Sequence, residues 1–88
     1  MITIQNRIQI MFVREVIKED VEKFCDEFRT GVSISASGQK CLAKVPYINN
    51  SNQVIEENNW SDLLKTLKNA SNLTQEQEKE WLVNQGLL

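Results

Sequence analysis

From Val32 to Val45 the chain reads VSISASGQKCLAKV, and its character changes with nearly every residue. Serines separate Val32, Ile34 and Ala36 on the way in, and Lys40, Leu42 and Lys44 separate Cys41, Ala43 and Val45 on the way out. Successive side chains of an extended strand point to opposite faces, so this alternation marks a sheet with one dry side. A two-residue turn at Gly38-Gln39 puts glycine first, as a type II′ hairpin requires. It sets Ala36 opposite Cys41, Ile34 opposite Ala43 and Val32 opposite Val45 on one side. The other side then carries Ser37 against Lys40, Ser35 against Leu42 and Ser33 against Lys44. A slip of one residue would turn serines toward the core, so the pattern itself fixes the pairing. Pro46 has no N–H to give and belongs at a strand end.

A second alternating tract, ITIQNRIQIMFV over residues 2–13, puts Ile2, Ile4, Ile8, Ile10 and Phe12 on one parity, broken by Asn6. It predicts another half-buried strand. The period then lengthens: Val13, Ile17, Val21, Phe24 and Phe28 recur every three or four residues, the stripe of an amphipathic helix. No capping residue stands between Val13 and Lys18, so the start of that helix is not fixed by the sequence. Gly31 is expected to close it as a left-handed cap, and Cys25 borders the stripe as a buried thiol. Residues 49–59, NNSNQVIEENN, read as an asparagine-rich connector pinned by Val54 and Ile55. Trp60, Leu63, Leu64, Leu67 and Ala70 define a second helix with Asn59 or Ser61 as its cap. Thr74 and Gln77 form a capping box that opens a third. Gly86 ends it and sets Leu87 against Leu82. The expectation is one α+β domain over residues 1–88, in the order β-α-β-β-α-α, whose three-stranded sheet has helices packed on one face.

Composition narrows the chemistry. The 88 residues include no histidine, which removes Ser-His and Cys-His pairs and imidazole metal ligands. Two cysteines, Cys25 and Cys41, are too few for a zinc site. A Cys25–Cys41 disulfide is open on geometry, but a reducing compartment favours free thiols. The carboxylates fall at spacings that solvate helix faces, and no phosphate-cradling glycine loop is present. We therefore expect no catalytic residues, no cofactor and no metal. No apolar run approaches about 18 residues, the length of a membrane span. The start of the chain lacks a signal-peptide pattern, so the expected location is cytoplasmic.

Charge is the informative feature. Residues 1–14 and 31–50 hold Arg7, Arg14, Lys40 and Lys44 and no acid, whereas acids outnumber bases in the rest and the net charge is −2. The expected binding surface is the polar sheet face, with Arg7, Gln9, Ser33, Ser35, Lys40, Lys44 and Tyr47. Trp60, Leu67, Trp81 and Leu87 are the candidates for an interface, including that of a homodimer, because tryptophan is enriched at interface hot spots. A chain this small buries only about 60–65% of its unfolded surface, leaving little room to enclose a substrate. The expected function is that of a small non-catalytic binding protein that occludes a macromolecular partner, foremost a protein. An asparagine-, isoleucine- and lysine-leaning composition suits a phage or mobile-element product that inhibits a host defence machine, in the host cytoplasm. Two alternatives rank below it. One is a regulator or sequestering protein that takes nucleic acid or a phosphate-bearing ligand on the basic face, disfavoured for RNA because that face offers almost no aromatics for stacking. The other is an assembly subunit of an oligomer.

Overall fold

A computed structural model of the chain describes residues 12–46 and 52–88. Its elements are α1 (Lys18–Phe28), β1 (Ser33–Ser37), β2 (Lys40–Pro46), β3 (Asn52–Glu57), α2 (Trp60–Asn69) and α3 (Gln75–Asn84). The three strands form one antiparallel sheet in the order β1-β2-β3. The α+β class, the three strands and the helices on one face are as expected, but the described order is α-β-β-β-α-α.

The hairpin takes the register that alternation dictates. Ala36 pairs with Cys41, Ile34 with Ala43, Ser35 with Leu42, Ser33 with Lys44 and Ser37 with Lys40. Gly38 has φ 61°, the left-handed value required at the first position of a primed turn. Pro46 is the last residue of β2.

The third strand is not the expected one. The tract over residues 2–13 lies, up to residue 11, outside the described residues, and Phe12 and Val13 belong to no strand. The third place is taken by NQVIEE, inside the segment read as a connector. Central β2 has a second edge of backbone donors and acceptors to satisfy. β3 satisfies it, pairing Cys41 with Glu57, Ala43 with Ile55 and Val45 with Gln53. Neighbouring residues of a strand face opposite ways, so Val54 and Ile55 cannot both anchor it. Ile55 packs against the core, while Val54 is 58% exposed.

The core lies between the sheet and the helices. β2 contributes Cys41, Ala43 and Val45, α1 contributes Val21, Phe24 and Cys25, and α2 contributes Leu63, Leu64 and Leu67. Trp81, Leu82 and Leu87 close it from the α3 side. The Phe24 ring meets the Trp81 ring edge-on at 5.5 Å and lies 5.0 Å from Phe28. The indole N–H of Trp81 donates to Glu27 at 3.1 Å, so the one polar atom of that side chain is satisfied.

Two of the three helix starts follow the expected chemistry. The Asn59 side chain accepts from the Asp62 N–H at 2.8 Å, and Thr74 and Gln77 form a reciprocal capping box. At the other end of α3 the Gly86 N–H donates to the Val83 carbonyl and the Leu87 N–H to that of Leu82, a full Schellman closure. Gly31 departs from expectation. Arg29, in extended conformation, ends α1, and Gly31 (φ 80°) lies beyond it in the turn to β1. A Cβ there would come within 3.1 Å of Pro46 Cγ, so close backbone approach as well as φ demands glycine.

The start of α1 is set by an ion pair. Its N-cap is Ile17, which has no acceptor to offer, and Val13 and Ile17 are 71% and 43% exposed. Val16, absent from the expected stripe, is buried instead. Asp20 reaches back to accept the Ile17 N–H at 2.8 Å and takes two hydrogen bonds from Arg14, at 3.0 and 2.8 Å. Arg14 also donates to the Gln85 carbonyl at 2.8 Å, and the Val13 N–H donates to the Leu87 carbonyl at 2.9 Å. The segment before α1 is thereby tied to the end of α3, where a cation also suits the helix dipole.

Burial acts to raise the pKa of Asp20. The Arg14 and Ile17 hydrogen bonds, with the charges of Arg14 and Lys23, outweigh it and hold the carboxyl below its ordinary value of 3.8. The stability it lends is therefore complete above pH 3.8 and is lost as pH falls through the lower, folded-state value. Asp20→Asn should flatten this part of the acid-unfolding curve measured by circular dichroism, and an unchanged acid limb would contradict the assignment. Phe24→Ala should cost about 3–5 kcal/mol in urea unfolding, a large share of the roughly 4–13 kcal/mol expected for a chain of this length. A loss below about 1 kcal/mol would mean that the ring is not central to the core.

Candidate binding surface

The face of the sheet turned away from the helices carries Ser33, Ser35 and Ser37 from β1, Lys40, Leu42 and Lys44 from β2, and Val54 and Glu56 from β3. Across the strands, Ser35, Leu42 and Glu56 form one row, and Ser33, Lys44 and Val54 the next. Leu42 and Val54 are diagonal neighbours, close enough for their side chains to form one apolar surface. Every one of these eight residues is exposed except Leu42, which is partly so. The result is a shallow apolar centre with hydroxyls on one flank and both signs of charge around it.

Ser33, Ser35, Lys40 and Lys44, all expected on this face, stand together on it. Arg7, Gln9 and Tyr47 lie outside the described residues. Leu42 was placed on this face by the hairpin parity, opposite Ser35, but not counted among its binding residues, and Val54 and Glu56 were not assigned to the face at all. The signal for Val54 and Glu56 was the parity of NQVIEE, which becomes readable only once that segment is known to be a strand. Glu56 also corrects the expectation of a wet face free of carboxylates. Lys40 donates to the Asn58 side chain at 2.8 Å, and Arg14 is bound to Asp20 away from the sheet. The positive character read from the sequence is thus diluted where it was expected to concentrate.

The interface candidates fare differently. Leu67 and Leu87 are fully buried and Trp81 is 4% exposed, all within the core of their own chain. They give a partner no surface, because the α2 and α3 stripes and the turn that ends α3 are consumed in building the core. Trp60 is half-buried on a groove of about 700 Å³ between residues 12–16 and the start of α2. There Lys65 Nζ lies 5.4 Å from the centre of the Phe12 ring. The Ser61 hydroxyl in the groove donates to Asn59 at 2.6 Å and so serves the helix cap.

Among the described residues, no three His, Cys, Asp or Glu side chains are grouped to hold a metal ion, and no helix is long and apolar enough to cross a membrane. Both cysteines are free and buried. Burial pushes the Cys25 thiol up to about 11, and burial also raises Cys41. Compared with protein-family models, curated proteins and solved structures, the chain matches none.

A buried thiol with a raised pKa is a poor nucleophile. In native protein at pH 8 both cysteines should react with a disulfide reagent far more slowly than in urea, with rates that follow unfolding. For Cys25 the stability contribution is complete below pH 9.0, where neither state ionises, and is lost as pH climbs toward about 11 and the unfolded chain releases its proton first. Fast labelling of the folded protein would contradict this placement.

Proposed function

We propose that this protein is a small non-catalytic binding protein, and that it acts by laying the outer face of its sheet on a protein partner and occluding the surface beneath. The diagonal pairing of exposed Val54 with partly exposed Leu42, framed by Ser33, Ser35, Lys44 and Glu56, supports this reading above all. An apolar centre with a polar rim of mixed charge is the composition of a protein interface. A nucleic-acid surface would be more uniformly basic. The lysines beside Glu56 give such a contact orientation more than affinity.

Size sets a condition. Three strands about 4.8 Å apart and about 17 Å long cover only roughly 250 Å², whereas a standard interface takes about 800 Å² from each partner. The contact must therefore extend past the face, onto the Gly38-Gln39 turn and the Lys40–Asn58 corner. Occlusion suits a protein of this build, since it requires a rigid surface and no enclosed site.

Val54→Asp and Lys44→Glu test this reading, since both side chains point away from the core. With circular dichroism unchanged, Val54→Asp should weaken capture of the native partner at least about tenfold, the effect of losing a central contact. Partner capture that survives Val54→Asp intact would refute the use of this face. If Lys44→Glu alone abolishes capture and nuclease treatment does the same, the partner is nucleic acid and the reading fails.

A further inference from the structure

The sheet has a second feature, independent of its outer face. Among the described residues β1 is paired along one edge only, with β2, and Ser35, Ala36 and Ser37 are exposed. An open edge presents a row of backbone donors and acceptors ready to pair with another strand. Helix α1 packs along β1, and between them lies a groove of about 480 Å³. Cys25, Val32 and Ile34 give it an apolar floor, and Glu22 and Asp26, one helical turn apart, line its lip.

We propose that this edge and groove bind an extended basic peptide segment by strand addition, with lysine or arginine at alternate positions. A strand added beside β1 sends every second side chain toward α1. Such a side chain meets apolar atoms first and carboxylates beyond them. That order fits a long aliphatic stem ending in a cation. The intervening side chains fall beside Ser33, Ser35 and Ser37, where small or hydroxyl-bearing residues fit. Backbone hydrogen bonds supply the attachment and the acidic lip supplies the selection.

A second copy of this chain does not meet that description. Pairing β1 with β1 would add the sequence SISAS, which has no cation, and would bring both acidic α1 helices to one seam. The other edge strand lacks the same arrangement, because Glu57 on β3 already accepts the Thr66 hydroxyl at 2.8 Å.

The test is a titration of the full chain, labelled with nitrogen-15, with a short capped peptide that alternates lysine with threonine. Shifts should concentrate on Ser33–Ser37 and on Glu22, Cys25 and Asp26, and the outward-facing β1 amides should become protected from exchange. Binding should fall roughly three- to tenfold in the E22Q/D26N double variant, as expected for two exposed charge pairs. It should vanish when the lysines become glutamate or when alternate peptide amides are N-methylated, and it should survive Val54→Asp. Four results would overturn the proposal: no binding of the lysine peptide, equal binding of the glutamate peptide, shifts centred elsewhere, or edge amides already protected in the free protein.

Discussion

β2 is hydrogen-bonded along both edges, and its side chains divide cleanly between two environments. Cys41, Ala43 and Val45 are buried, whereas Lys40 and Lys44 are exposed. A sheet with one apolar face must have that face covered, and the covering must come from elements that carry apolar stripes of their own. Helices α1 and α2 pack on the sheet, α3 closes the core against α1, and Phe24, Leu63, Leu64, Leu67 and Leu82 are fully buried as a result. That demand explains why Trp81 and the leucines of the last two helices are withheld from solvent, and why the opposite sheet face is left uncovered by them.

Charge in so small a protein does structural work before it is left for recognition. Arg14 is joined to Asp20 and to the end of α3, Lys40 to the Asn58 side chain, and Arg29 to the Ala70 carbonyl at 3.0 Å. The two arginines fasten helix ends, which otherwise leave unsatisfied backbone groups. What remains for recognition is patterned, with a mixed and partly apolar sheet face on one side and an acidic lip beside the β1 edge on another. We propose different partners for these surfaces. A flat face fits a folded surface, and an edge fits an extended chain.

Much of the fold was legible in the sequence wherever one local rule decided the outcome. The hairpin register follows from alternation around Gly38, the α3 start from Thr74 and Gln77, and its end from Gly86 and Leu87. The α1 start was opaque because its N-cap is an isoleucine. The acceptor comes from Asp20, three residues later, with an arginine from outside the helix holding that carboxylate in place. β3 was opaque for another reason. NQVIEE places a single apolar side chain on each face and is surrounded by asparagines, so its setting reads as a turn despite the β-branched Val54 and Ile55.

The same division governs the candidate surface. The sequence alone determined which side Ser33, Ser35, Lys40 and Lys44 occupy, because strand geometry links parity to face. Only the tertiary structure decided that Leu42 would have Val54 and Glu56 for company. Those neighbours come from a strand that exists because the open edge of β2 needs hydrogen-bond partners, and such a need belongs to the assembled sheet and leaves no mark on the segment that meets it.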